Sequence, residues 1–179
     1  EVHTDLVFNE ASGILDIQPS GIVMENGDFE LKGSIDTKND VTLDLSIEGA
    51  KPNFDMLIAF APSDMIPFLE KYNNSGDIYF NATIKGASNK GNRPAINAEF
   101  GAGEAFLENP VRRKKIDNVG FKGHFSNGAN RDTDTMEFSL TNMTASLEKG
   151  KFKGSLFVKN FKSPEVDMQI DSNFNLDFI

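Results

Sequence analysis

Apolar and polar residues alternate almost without interruption between residues 154 and 178. Successive side chains of a strand point to opposite faces, so this period of two predicts strands that are apolar on one face and polar on the other. A fold for this chain must therefore account for what lies against the apolar face. The apolar positions of the stretch are Leu156, Val158, Val166, Met168, Ile170, Phe174, Leu176 and Phe178.

The same alternation recurs along most of the chain. Its joints hold Gly, Asn, Asp, Ser or Pro, the residues that turns require. Strands that follow one another through short connections predict an antiparallel meander, here of about eleven to thirteen strands. The strongest hairpin signal is Asn26-Gly27, a pair that suits a tight type I′ turn between apolar flanks.

One segment departs from this pattern. Between residues 52 and 73 the apolar residues stand at helical spacing, and Pro62 divides the segment. Pro67 fits the first turn of a helix, where its missing N–H costs least. We therefore predict one or two short helices within this segment, lying on the sheet or across its end.

Composition limits the classes of protein that fit. A chain of 179 residues suits one domain, and an apolar content of 39% suits a thin, one-sided sheet. The net charge of −9 argues against nucleic acid, whose phosphates require a concentrated basic face. Without cysteine the chain has no disulfide, and no apolar run is long enough to span a membrane as a helix. Since the chain begins abruptly and stops within an alternating stretch, we expect it to be a piece of a longer protein.

Catalytic chemistry finds little support in the sequence. His3 and His124 are isolated, without the spacing that brings two imidazoles to one face, and the acidic residues are spread along strand exteriors. No serine stands in a G-x-S-x-G elbow, and no Gly-rich phosphate loop precedes a helix. The sequence predicts no enzyme activity, no catalytic or metal-binding residue and no cofactor.

An internal repeat is suggested by two stretches with the same order of parts. Residues 27–57 and 150–178 each run from Gly and Phe through a polar joint to an alternating strand, with Phe29 against Phe152 and Gly33 against Gly154. We interpret residues 1–179 as a single β-domain cut from a longer array. The repeat unit is about 120 residues, and a second repeat begins near 136–150.

Six segments together resemble the periplasmic region of AsmA-like proteins, relatives of TamB, especially those of Bacteroidetes-type bacteria. The segments read "DVTLDLSIEG", "NFDMLIAFAP", "GDIYFNATIKG", "PAINAEF", "IDNVGFKGHFSNG" and "GKFKGSLFVKNFKSPEVDMQI", and the similarity runs over nearly the whole chain. The resemblance implies a large envelope protein of a Gram-negative cell, anchored in the inner membrane by a segment absent here. It also implies a periplasmic β-sheet curled into a groove and a role in moving phospholipid to the outer membrane. The expected fold is then all-β: a long curved meander forming an open groove or half-barrel, with the short helices at about 52–73.

Such a groove needs only a continuous row of apolar side chains, because each buried CH2 contributes about 0.8 kcal/mol. The alternative is that the same residues pack against one another or against the predicted helix, as in a β-sandwich. The candidate groove residues are Phe29, Leu31, Val41, Leu43, Leu45, Ile78, Phe80, Ile84, Ile96, Phe100, Phe121, Phe125, Phe138, Leu140, Leu156, Val158, Val166, Met168 and Ile170.

Basic residues are concentrated in one place, Arg112, Arg113, Lys114 and Lys115. Such a cluster is typical of a solvated turn or of a basic edge that blocks aggregation. Alternatively, it binds anionic headgroups, in which case replacing all four residues with Gln should weaken binding to anionic vesicles at low salt.

Three functions remain open on the sequence alone. The first is a non-enzymatic module that guides phospholipid between the two membranes. The second is a structural or adhesive β-sandwich of a cell-surface protein, with no lipid transport, and the third is a closed carrier barrel like the lipocalins. An open apolar face separates the first function from the second, whereas a closed barrel would need its first and last strands to pair. Exposed edge strands predict dimers or crystal contacts.

Overall fold

The residues that the structure describes fold into one antiparallel sheet of eleven strands. The computed structural model describes residues 2–24, 27–38, 40–51, 71–89, 91–111, 113–147 and 150–173. No helix occurs among these residues. The described part of the protein is therefore all-β.

The strands follow the alternating stretches of the sequence. Their bounds are β1 Val2–His3, β2 Leu6–Asn9, β3 Ile14–Met24, β4 Gly27–Asp36, β5 Thr42–Lys51, β6 Asn73–Ala87, β7 Ala95–Asn109, β8 Lys114–Ser126, β9 Glu137–Leu147, β10 Gly150–Lys159 and β11 Glu165–Ser172.

Each strand from β3 to β10 pairs with the strand that follows it in the chain, as a meander requires. At one edge, β1 and β2 pair with the two ends of β3. At the other edge, β11 pairs with β10, and within the described ranges it does not return to β1 or β2. The sheet is therefore open. This confirms the predicted all-β meander, and it differs from the closed barrel of a lipocalin-like carrier.

The predicted helical segment falls mainly outside the described residues, which resume at Lys71. Of the range 52–73, Lys71 and Tyr72 form a turn and Asn73 is already the first residue of β6. The neighbouring strands β5 and β6 pair in continuous register from Thr42↔Ala87 to Lys51↔Ile78. The long connection between them therefore leaves the meander order unchanged.

The hairpin predicted at Asn26-Gly27 joins β3 and β4, but one residue earlier than expected. Met24 pairs with Gly27, and Gly27 is the first residue of β4. Only residues 25 and 26, which lie outside the described ranges, connect the two strands. Gly27 is thus a strand residue, because the register of β3 against β4 sets which pair makes the turn.

Three neighbouring strands carry bulges that bend the sheet. Glu104, Asn118 and Asn142 have φ angles of 49°, 52° and 52°, and each stands beside a shift in register. A bulge adds a residue to one strand, which bends and twists that strand. Bulges on β7, β8 and β9 in succession therefore curve this part of the sheet.

Candidate functional site: an apolar face across the sheet

The strand registers join the alternating apolar residues into continuous rows, because residues directly opposite in an antiparallel pair share a face. We call this side of the sheet the apolar face. One row is Leu31, Ile47, Ala82, Ala98, Phe125, Phe138, Val158 and Val166. The next is Ile22, Phe29, Gly49, Phe80, Phe100, Gly123, Leu140, Leu156 and Met168. The first row continues on β3 with Ser20, which pairs with Leu31 and is 1% exposed. From β4 to β11 neither row contains a polar side chain.

All candidate groove residues that lie within strands are on the apolar face. Val41 is the one candidate groove residue that does not lie in a strand. It stands just before β5 and is 36% exposed. The alternating stretch 154–178 has three further apolar residues. These are Phe174, Leu176 and Phe178, and they lie outside the described ranges. Their place on this face remains a prediction.

Glycines on the apolar face make room for phenylalanine rings. Phe29 and Phe80 meet edge to face across Gly49, with ring centroids 5.9 Å apart. The ring of Phe100 covers Gly123, where an added Cβ would overlap it. From there Phe100 contacts Phe138 at 6.0 Å and Phe121 at 6.3 Å between centroids. The rings thus cover the surface that the missing side chains would have occupied.

Burial on this face falls from the centre of the sheet toward β11. Phe29, Ile78, Ala102 and Ala105 are buried in one cluster. At the far edge, by contrast, Val166 is 61%, Met168 62% and Ile170 55% exposed. All the described strands belong to one sheet, so no second sheet covers this face within the described part of the chain. The β-sandwich alternative would require such a second layer.

Sequence reasoning missed the small residues of the face. Ala82, Ala98, Ala102 and Ala105 are among its most buried positions, yet none was a candidate. The first three alternate in step with Phe80 and Phe100, which would have indicated their side of the sheet. Ala105 could not be assigned in this way, because the bulge at Glu104 shifts the alternation by one residue.

The opposite face is mainly polar and carries exposed ion pairs, together with apolar residues such as Val23 and Phe157. Lys32 Nζ lies 2.9 Å from a Glu48 carboxylate oxygen and 3.6 Å from one of Glu30, and Lys85 pairs with Asp44 at 3.0 Å. The hydrogen bond and charge of Lys32 lower the pKa of Glu48, and the same contact raises the pKa of Lys32. Because these groups are exposed, solvent and salt screen them, and they contribute little to stability.

The basic cluster lies at the connection between β7 and β8. Arg113 is an exposed turn residue with a φ of 52°, and Lys114 and Lys115 begin β8. Lys115 pairs with Asp117 at 2.7 Å and stands 4.3 Å from the centroid of the Phe106 ring. Arg112 lies outside the described ranges. Part of the positive charge is therefore neutralised within the sheet, and headgroup binding by this cluster stays a prediction.

Polar groups on the sheet do not assemble into a candidate metal site. His124 lies opposite Glu99 on the polar face, and His3 is in β1. Among the described residues, no three His, Cys, Asp or Glu side chains are placed to hold a metal ion together. The described ranges also contain no helix with the length and apolar content needed to cross a membrane. The apolar face is therefore the feature on which a functional proposal can rest.

Comparison of the chain with protein-family models, with curated proteins and with solved structures finds no match. The resemblance to AsmA-like proteins accordingly depends on the sequence pattern alone.

Proposed function

We propose that the apolar face binds the acyl chains of phospholipids and guides them across the cell envelope, without enzyme activity. The protein would work in the periplasm of a Gram-negative cell, as part of a longer protein anchored in the inner membrane. The resemblance to AsmA-like proteins supports this location and role.

The observation that carries the proposal is a continuous apolar surface with exposed residues at one end. Val166, Met168 and Ile170 are more than half exposed, and the rows that end at Val166 and Met168 run back to β4. Exposing so many large apolar side chains is costly for a chain with no partner for them. An acyl chain laid on the face would remove them from water, at about 0.8 kcal/mol per buried CH2.

The dimensions of the face suit this role. Neighbouring strands lie about 4.8 Å apart, so the eight strands from β4 to β11 span roughly 34 Å. That distance is close to the hydrocarbon thickness of a whole bilayer, about 30 Å, of which one phospholipid spans half. The rows are therefore long enough for an acyl chain to move along them without leaving apolar surface.

The proposal can be tested by placing a charge on this face where the fold tolerates it. Ile170→Asp adds a carboxylate to the apolar face at a position that is 55% exposed. Gln169→Asp adds the same charge at the preceding residue of β11, on the polar face. We expect the first variant to lose bound phospholipid, because burying an unpaired carboxylate under an acyl chain costs several kcal/mol. The second should retain it.

Bound phospholipid is measured by native mass spectrometry of the purified protein, and folding by thermal denaturation. Cells that carry Ile170→Asp in the full-length protein should also lose outer-membrane integrity. If Ile170→Asp unfolds the protein, the face is a sealed core and the proposal loses its basis. Equal phospholipid content in the two variants would also contradict it.

A further inference from the structure

The connection between β8 and β9 is fixed to the start of β7. The connections β4–β5, β6–β7, β8–β9 and β10–β11 lie at the same end of the sheet, because the strands are antiparallel, and all their residues are described except 39 and 90. Asn127, the first residue of the β8–β9 connection, is 4% exposed. Its Oδ1 accepts a hydrogen bond from the Ile96 N–H at 2.8 Å, and its Nδ2 donates to the Pro94 carbonyl at 2.9 Å. These bonds hold the connection in place.

Arg131 extends from this connection to the end of β6. Its Nη1 donates a hydrogen bond of 2.6 Å to the carbonyl oxygen of Arg93, and a Cβ added at Gly86 would lie 3.5 Å from its Nη2. Gly86 is opposite Leu43 on β5 and follows Ile84 by two residues on β6. Leu43 and Ile84 are both candidate groove residues. The guanidinium therefore lies where the apolar face ends at this side of the sheet.

Arg131 forms no salt bridge with any described carboxylate, and the acidic residues of its own connection have other partners. Asp132 Oδ1 accepts hydrogen bonds from two backbone N–H groups at 3.1 and 3.2 Å. Asp134 pairs with Lys162 at 3.3 Å. Only one of the five N–H groups of the Arg131 guanidinium has a hydrogen-bond partner in the described ranges.

A guanidinium with free donors is suited to phosphate, which it binds through two parallel N–H···O bonds. Arg131 is partly buried and already held by the carbonyl of Arg93. A side chain that is held in this way loses less conformational entropy on binding than a mobile one. Arg131 is therefore preorganised for an anion at the end of the apolar face.

The apolar face is deep enough along the strands for a phospholipid held at this end. Gly86 and Ile78 are eight residues apart on β6, so the positions between them span about 27 Å. One phospholipid spans half of a bilayer hydrocarbon core of about 30 Å. A phospholipid with its phosphate at Arg131 thus has room for its acyl chains on the apolar face along β6.

We propose that Arg131 binds the phosphate of the phospholipid whose acyl chains lie on the apolar face. This role rests on the proposed function, and it names the residue that holds the headgroup. It places the headgroup at the end of the sheet opposite the basic cluster, since Arg113 lies in the β7–β8 connection. In that cluster Arg113 is exposed, and Lys115 is already paired with Asp117.

Calorimetric titration with three ligands separates the contribution of the phosphate from that of the acyl chains. The ligands are dioctanoylphosphatidylglycerol, dioctanoylglycerol, which lacks the phosphate, and glycerophosphoglycerol, which lacks the acyl chains. We expect the purified protein to bind the phospholipid most tightly. Arg131→Gln should weaken phospholipid binding about tenfold, as expected when hydrogen bonds to a charged group are lost. It should leave the affinity for dioctanoylglycerol unchanged.

Arg113→Gln is the matched control. It removes the same charge from an exposed arginine at the other end of the sheet, and it should leave all three affinities unchanged. Arg131→Lys keeps the charge without the planar guanidinium, and it should retain part of the preference for the phospholipid.

Equal weakening of both lipids by Arg131→Gln would overturn the proposal, because damage to the β8–β9 connection affects both alike. Unchanged phospholipid affinity in Arg131→Gln, or a loss in Arg113→Gln instead, would also overturn it. If the protein binds both lipids equally, acyl-chain binding stands and the role of Arg131 fails. If it binds neither lipid, the proposed function itself fails, and binding of glycerophosphoglycerol that depends on Arg131 would assign the residue to a soluble phosphate.

Discussion

At the scale of single residues, shape complementarity on the apolar face depends on where side chains are absent. Gly123 is buried, and the ring of Phe100 occupies the space beside its Cα. The ring reaches from there to Phe121 and Phe138 on the two following strands. A glycine on β8 thus lets one phenylalanine connect three strands.

Adding a methyl group at this position should therefore destabilise the protein. We expect Gly123→Ala to lower the free energy of unfolding by about 1–3 kcal/mol, because Phe100 must leave its rotamer or the strands must separate. Gly103→Ala is the control, since a Cβ at Gly103 on β7 meets nothing within 4 Å. Urea denaturation compares the two, and equal stabilities would show that the Phe100 ring moves aside without cost.

At the scale of elements, the bulges and the hairpins decide how strands align. Hairpins β4–β5 and β10–β11 share one register, since Phe29 pairs with Gly49 as Phe152 pairs with Ser172, and Asp36 pairs with Thr42 as Lys159 pairs with Glu165. This likeness supports the predicted repeat, which stays a prediction. The shared register aligns Gly33 with Leu156. The comparison of residues 27–57 with residues 150–178 in the sequence had aligned Gly33 with Gly154.

The bulge on β9 should depend on the residue that forms it. Asn142 has a φ of 52°, a conformation that Asn tolerates and a β-branched residue does not. We expect Asn142→Val to destabilise the protein by about 1–2 kcal/mol, and Asn142→Gly to be nearly neutral. Asn81→Val, in the regular part of β6, is the control and should cost less. If Asn142→Val melts like Asn81→Val, the bulge does not constrain the backbone.

At the scale of the whole molecule, the open sheet leaves two edges and one apolar face that the described residues do not cover. The edge at β2 exposes Leu6 and Phe8 by 54% and 55%, much as β11 exposes its apolar residues at the other edge. Exposed apolar surface of this extent favours association with lipid, with a partner or with another copy. The proposed envelope location supplies the first of these.

Cell fractionation tests that location. We expect the full-length protein to sediment with the inner membrane and its β-domain to face the periplasm, accessible to protease added after the outer membrane is permeabilised. Detergent should release the protein and salt should not, because a hydrophobic anchor holds by apolar burial rather than by charge. Recovery of the full-length protein from the cytosol would contradict the proposal.

The sequence by itself determined which residues share a face, because strand alternation is a local property of the backbone. Residues as distant as Phe29 and Met168 were assigned to one side in this way, and the structure joins them in one row. It also predicted the strand order, since short connections between strands leave few alternatives to a meander. Local pattern was sufficient for both.

Only the tertiary structure decided the register, the bulges and the burial. The turn between β3 and β4 lies one residue before the predicted pair, and Ala105 faces the apolar side only because Glu104 is bulged. Ile78 is 2% exposed and Ile170 55%, although both alternate in the same way. Burial depends on how many neighbouring strands surround a residue, which is a long-range property: Ile78 lies between paired strands on both sides, and Ile170 lies on an edge.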